Sequence, residues 1–149
     1  MAKNVILLVE DSFDDVELIR RAFHRCKITN PLVVLHTGEE AVAYFQDAQA
    51  DYGENADEPV LVLLDLNLPR LKGIEVLKTE AARSFLKRCP VVVLSGVDEM
   101  KQVNECYKLG ATSFFIKPIT DAEIMNLVRN IPRLALDPQG EVFELKCVK

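Results

Sequence analysis

Five side chains scattered along 149 residues could together carry out phosphoryl chemistry: Glu10, Asp11, Asp65, Ser95 and Lys117. Asp65 is the pivot. It follows the apolar run Val60 to Leu64 and precedes Leu66, Asn67, Leu68 and Pro69. A short, β-branched-rich run bounded by turn residues is the pattern of a strand buried on both faces. Ligands of open α/β sheets bind beyond the carboxyl ends of such strands. Glu10, Asp11 and Asp65 all follow apolar runs, so a parallel sheet gathers three carboxylates on one edge. Carboxylates held this close repel one another and are normally held with a cation. All-oxygen ligands suit Mg²⁺ and not Zn²⁺. With that charge screened, Asp65 can act as a nucleophile and become an aspartyl phosphate. Lys117 then supplies a point charge to the phosphoryl oxygens, and Ser95 a hydrogen-bond donor.

The elements that must position these groups are legible in order. Asn4 to Val9 reads as a first buried strand ending at Glu10, Asp11 and Ser12. Ser12 and Asp15 resemble a capping box, so a helix is expected from about Phe13, with Val16, Ile19, Phe23 and Cys26 at helical spacing. Leu32 to Leu35 reads as the second strand. Glu39 to Ala48 reads as a helix with Ala41, Val42 and Phe45 inward. Residues 49–58 are acidic and aperiodic, an expected exposed loop. Beyond Asp65, Leu66 to Lys72 reads as a loop, with Gly73 easing a turn before a helical stretch begun by Ile74, Val76 and Leu77. Val91 to Leu94 is the fourth strand and ends at Ser95. A helix from about Asp98 is expected to turn Met100, Val103 and Tyr107 inward and to stop at Gly110. Thr112 to Ile116 is the fifth strand, ending at Lys117. Thr120 and Glu123 repeat the capping pattern before a last helix with Ile124, Leu127, Val128 and Ile131 inward, halted by Pro132. Five alternations of strand and helix argue for a parallel sheet with helices on both faces.

Composition narrows the class. The length suits one domain with a proper core. A net charge of −5 argues against nonspecific nucleic-acid binding as the main task. No apolar run approaches the roughly 20 residues of a membrane helix. Met1 to Asn4 lead straight into a strand-like run without a small-residue cleavage site, which reads as a mature start. Cys26, Cys89, Cys106 and Cys147 are far apart and form no CxxC pair, so free thiols in a reducing cytoplasm are expected. Each reactive residue also has a plain reading taken singly: a solvated turn for Asp11, a helix start for Ser95, nothing for Lys117. Their joint arrival at four strand ends is what argues for chemistry.

The motifs Val9-Glu10-Asp11-Ser12, Leu64-Asp65-Leu66-Asn67-Leu68-Pro69 with Gly73, Leu94-Ser95-Gly96 and Phe115-Ile116-Lys117-Pro118 resemble those of a response-regulator receiver domain. The resemblance spans roughly residues 4–131. It implies a single flavodoxin-like, doubly wound α/β domain: a five-stranded parallel sheet of order 2-1-3-4-5 with five helices. It implies that Asp65 receives a phosphoryl group from a histidine kinase or phosphorelay partner. Glu10, Asp11, Asp65 and the backbone carbonyl of Asn67 would arrange Mg²⁺. Ser95 would turn toward the phosphoryl group, and Lys117 would pair with it. Lys117-Pro118 is expected to be cis. Phe114 matches the aromatic switch position, where a phenylalanine lacks the hydroxyl that a tyrosine would offer. The surface of the fourth helix, fifth strand and fifth helix would be repacked on phosphorylation.

Residues 1–132 are expected to form the receiver and 133–149 a C-terminal extension. With no output domain after it, the chain reads as a stand-alone cytoplasmic bacterial regulator, not an enzyme beyond self-phosphorylation and autodephosphorylation. The acidic 49–58 insert and the extension are similar to those of small regulators that partner bacterial phytochrome kinases. Phe143, Leu145 and Cys147 alternate with Glu144 and Lys146, a period-2 pattern for a strand or arm that packs on the domain or on a second subunit in a homodimer. A frayed terminus is the alternative. Neither nucleic acid nor a membrane is an expected partner. Three rival functions remain. A phosphohydrolase with an aspartate nucleophile would need an acid where Asn67 stands. A flavodoxin-type carrier would need a glycine- and hydroxyl-rich loop where Glu10 and Asp11 stand. A phosphorylation-independent receiver-like binding module would use the same fold without the chemistry.

Overall fold

The computed structural model describes residues 3–47 and 57–148. Five strands form one parallel sheet of order β2-β1-β3-β4-β5: β1 Asn4–Val9, β2 Leu32–Leu35, β3 Glu58–Asp65, β4 Val91–Ser95 and β5 Ser113–Ile116. The order and the parallel sense are those expected. Residues 49–56 of the expected insert and Ala48, the expected end of the second helix, lie outside the described residues, and Glu58 already opens β3.

The continuous apolar runs are explained by two cores, one on each face of the sheet. Ile6, Leu8, Leu61, Leu63, Val92 and Leu94 face helices α1 (Phe13–Arg25) and α6 (Asp121–Asn130). Leu7, Val9, Val62, Leu64, Val91 and Val93 face the opposite layer. That layer holds α2 (Gly38–Asp47), α3 (Gly73–Leu77), α4 (Glu80–Leu86) and α5 (Val103–Lys108). Alternate residues of one strand thus enter different cores, so no position inside the strand can be polar.

The helices depart from the expected five. The stretch after Asp65 is two helices, because Thr79 takes an extended conformation (φ −72°, ψ 152°) and caps α4 by accepting from the Ala82 N–H. The helix after β4 opens as a 3₁₀ turn over Val97–Gln102 and becomes α-helical only at Val103. Within α5 the buried stripe runs through Val103 and Cys106, three residues apart, while Tyr107, expected inward, is 43% exposed. Gly110 ends α5 at φ +109°, as expected of a C′ glycine. Thr120 and Glu123 form the reciprocal capping box at α6.

The C-terminal segment is ordered as a hairpin. Strand β6 (Leu134–Gln139) pairs antiparallel with β7 (Val142–Cys147) across a turn at Gly140 and Glu141. Leu145 is fully buried in the α1/α6 core, as the period-2 pattern expects. The Asn30 side chain clasps β7, donating to the Leu145 carbonyl at 2.9 Å and accepting from the Leu145 N–H. The arm packs on its own chain and is not frayed.

Candidate functional site

Register sets the reactive residues level with one another. Val9 pairs with Leu64, which carries Glu10 beside Asp65. Asp65 pairs with Leu94, and Ser95 with Ile116, so Ser95 and Lys117 emerge on the next two strands. The Lys117 N–H donates to the Ser95 carbonyl at 2.9 Å and fixes the last step of that ladder. The Lys117-Pro118 bond is cis, as expected. All four strand ends open on one edge.

Three carboxylates meet there. Oxygens of Glu10, Asp11 and Asp65 all lie within 4.8 Å of one another. Glu10 and Asp65 are buried; Asp11 is exposed. The Lys117 ammonium reaches Glu10 Oε1 at 3.0 Å and Asp65 Oδ2 at 3.2 Å. Asp65 Oδ1 accepts from the Asn67 N–H at 3.0 Å. Burial pushes the Glu10 carboxyl up to about 8, with the hydrogen bond to Asp65 and its charge adding to the rise; Lys117 and the Ser12 N–H oppose it. Burial acts to lower the Lys117 ammonium, yet its carboxylate partners outweigh that and hold it above its ordinary value. Such a cluster is short of positive charge, and its oxygen donors fit a divalent cation.

Ser95 is fully buried, and its hydroxyl donates to the Gly96 carbonyl at 2.7 Å. Phe114 is half-buried and meets Tyr107 edge to face at 6.2 Å. The Asn67 side chain accepts from Lys72 at 3.3 Å.

One member of the cluster escaped the sequence reading. Asp15 Oδ2 lies 3.1 Å from the Lys117 ammonium. Only half of the expected box at Ser12 forms: the Ser12 hydroxyl accepts from the Asp15 N–H at 3.3 Å, while the Ser12 N–H goes to Glu10 Oε2 at 3.2 Å. Glu10 has taken the donor that the box would assign to Asp15, which frees the Asp15 carboxylate for Lys117.

Gly73 serves a close approach, not a turn. It is the first residue of α3, and a Cβ there would collide with the Asp65 carbonyl and lie 2.8 Å from Leu66 Cα. Both obstacles are backbone, so the strand end or the helix must move. Gly73→Ala is expected to cost about 1–3 kcal/mol, as overpacking does. Thermal melts check this; an unchanged melting temperature would contradict the close approach.

Residues 6–129 match the family of response regulator receiver domains. The chain belongs to that family. It is 37% identical over 133 residues to the response regulator Rcp1 of Synechocystis sp., covering 89% of both chains. The Mn²⁺-bound form of Rcp1 aligns with a TM-score of 0.65 over 86% of this chain and 91% of that one. The bacteriophytochrome response regulator RtBRR, 32% identical, aligns at 0.72 over 95% of this chain and 86% of its own. The phosphorylated cyanobacterial phytochrome response regulator RcpA, 35% identical, aligns at 0.65 over 85% and 89%. The receiver is therefore a phosphoacceptor switch of two-component signalling, and the phosphohydrolase and flavodoxin-type readings fall away. Among the described residues no helix is long and apolar enough to cross a membrane.

Proposed function

We propose that Asp65 takes a phosphoryl group from a phosphohistidine of a sensor kinase or phosphotransfer partner. An Asp65 oxygen attacks phosphorus as the P–N bond breaks, and the leaving imidazole keeps the electron pair and takes a proton from solvent. Glu10, Asp11, Asp65 and the carbonyl of Asn67 would hold Mg²⁺, which supplies charge neutralisation between the carboxylates and the incoming oxygens. Lys117 follows the new oxygens, and Ser95 exchanges the Gly96 carbonyl for one of them. Phe114 moves with Ser95, without a hydroxyl to anchor it. The phosphoryl group, carrying roughly −1.5 to −2 where the free carboxylate carried a single charge, repacks α5, β5 and α6. A partner or a second copy that prefers this surface pulls the equilibrium over. The observation that carries the reading is the Lys117 ammonium at 3.2 Å from an Asp65 oxygen inside the Glu10–Asp11–Asp65 cluster.

Likeness to the cyanobacterial phytochrome response regulator RcpA and to the bacteriophytochrome response regulator RtBRR supports a phytochrome-type kinase as the donor. In this reading residues 1–132 are the receiver and 133–149 an extension, folded against it through its hairpin of β6 and β7, and the chain works in the cytoplasm. It catalyses only its own phosphorylation from a donor and its own dephosphorylation, with no role for nucleic acid or a membrane.

The test is a phosphate-affinity gel of purified protein treated with acetyl phosphate. A retarded band is expected with Mg²⁺ and none with chelator. An equal band in chelator would remove the metal from the reading. No band with acetyl phosphate or with any kinase would leave the phosphorylation-independent binding module.

A further inference from the structure

An ammonium has three N–H donors. Those of Lys117 face three carboxylates: Glu10 at 3.0 Å, Asp15 at 3.1 Å and Asp65 at 3.2 Å. No donor is left for a phosphoryl oxygen. The three partners are not equally held. Glu10 and Asp65 are buried, and each also accepts from a backbone N–H, of Ser12 and Asn67 respectively. The Asp15 side chain is 31% exposed, and among the described residues its carboxylate bonds to Lys117 alone. Water can replace Lys117 at Asp15 at far less cost than at the buried pair.

We infer that Asp15 is a positioning residue that holds Lys117 in a resting place and restrains phosphoryl transfer to Asp65. Before Lys117 can meet a phosphoryl oxygen it must release one acceptor, and Asp15 is the one it releases. That release slows transfer and weakens the Lys117 contact in the phosphorylated state. The inference rests on the reading of Asp65 as the acceptor.

The cap at α1 is independent of this role, because Ser12 accepts from the Asp15 backbone. First-turn charge is a separate matter: Asp14 and Asp15 both lie in the first turn of α1 and favour its dipole. Asp14 is exposed and has no bond to Lys117, so Asp14→Asn removes the same helix charge and leaves the ammonium alone. Four proteins are compared at saturating Mg²⁺: wild type, Asp15→Asn, Asp15→Glu and Asp14→Asn. The readouts are the rate of labelling by acetyl phosphate and the affinity for beryllium fluoride, a phosphoryl mimic, by ¹⁹F NMR. Asp15→Asn should label roughly two- to fivefold faster and bind the mimic more tightly by a similar factor, the size of a partly exposed ion pair. Asp15→Glu should return both values toward wild type, and Asp14→Asn should leave them unchanged. Slower or equal labelling by Asp15→Asn would overturn the inference. So would parallel changes in Asp15→Asn and Asp14→Asn, which would make the effect one of helix charge. A wild type that never labels would bring down the Asp65 reading together with this one; a wild type that labels beside an unchanged Asp15→Asn would bring down this one alone.

Discussion

Asp65→Asn is expected to take no phosphoryl group from acetyl phosphate or from a kinase, and to be more stable than the wild type in chelator. The first outcome follows from the nucleophile. An amide has no anionic oxygen to offer phosphorus, and the other acids of the cluster are placed differently. Glu10 is held by the Ser12 N–H and Lys117, and Asp15 lies toward solvent. The second outcome follows from charge. Without a cation, buried Glu10 and Asp65 set two carboxylates against one ammonium, and Glu10 responds by holding its proton up to about pH 8. A carboxyl at about 8 in the fold and 4.5 in the unfolded chain binds more protons when folded. Its contribution to stability is full below 4.5 and is lost as pH rises to 8. Asp65 is among the causes of that rise, after burial itself. Neutralising it should flatten the slope and add about 1–2 kcal/mol near neutral pH, a pKa unit being worth about 1.4. Mg²⁺ should reverse the ranking, since a cation stabilises the protein that binds it better. Phosphate-affinity gels, and melts from pH 5 to 8 with and without Mg²⁺, read both outcomes. A retarded band in Asp65→Asn would move the acceptor to a neighbouring acid. A variant less stable than wild type at every pH would mean that the Lys117 contact outweighs the repulsion.

The parts of the molecule legible in the sequence are those governed by burial. Val60 to Leu64 have no polar break because each is buried and, from Leu61 to Leu64, alternate residues enter two cores, and the strand therefore shows as a plain apolar run. A polar residue can appear only where the strand leaves the core, which is why Glu10, Asp65, Ser95 and Lys117 stood out. What was hidden depends on contacts made at long range or on which of two helical neighbours is buried. Asp15 reads locally as the N3 member of a capping box with Ser12, and its partner Lys117 lies 102 positions away. One signal could have exposed it: the carboxylate of an aspartate is a methylene shorter than the glutamate or glutamine that closes such a box. Tyr107 departs from expectation because the stripe of α5 takes the i, i+3 neighbour of Val103, Cys106, and leaves Tyr107 on its flank, edge to face with Phe114. The role of Gly73 is a contact with the backbone of Asp65 and Leu66, invisible until strand and helix are laid together. The tail strand β7 was visible from its alternation. Its partner β6 was not, because Asp137 and Pro138 interrupt the pattern at an exposed end.

Lys117→Ala should produce the second large effect, on fold and transfer together. The Lys117 side chain is only 20% exposed and is the cation that Glu10 and Asp65 share. Removing one partner of a buried ion pair costs about 3–5 kcal/mol when the remaining charge cannot escape. Here there is a partial escape, because Glu10 can stay protonated. The loss in chelator should therefore be small near pH 5 and grow toward pH 8, where the unfolded chain gains most by ionising both acids. Mg²⁺ should recover much of the stability, since a divalent cation can replace the missing charge among the same oxygens. It should not recover transfer. The ammonium serves the oxygens that develop charge as the phosphoryl group moves, and losing such a donor typically slows a reaction about 10²–10³-fold. Lys117→Arg separates charge from shape. Three carboxylates converge on one nitrogen at 3.0–3.2 Å, a geometry that a compact ammonium fits and a flat guanidinium does not. Arginine should restore part of the stability in chelator while labelling stays slow. Melts across pH and labelling time courses at saturating Mg²⁺ measure the two effects separately. Wild-type labelling by either variant would show that Lys117 balances charge in the resting fold and takes no part in the transfer.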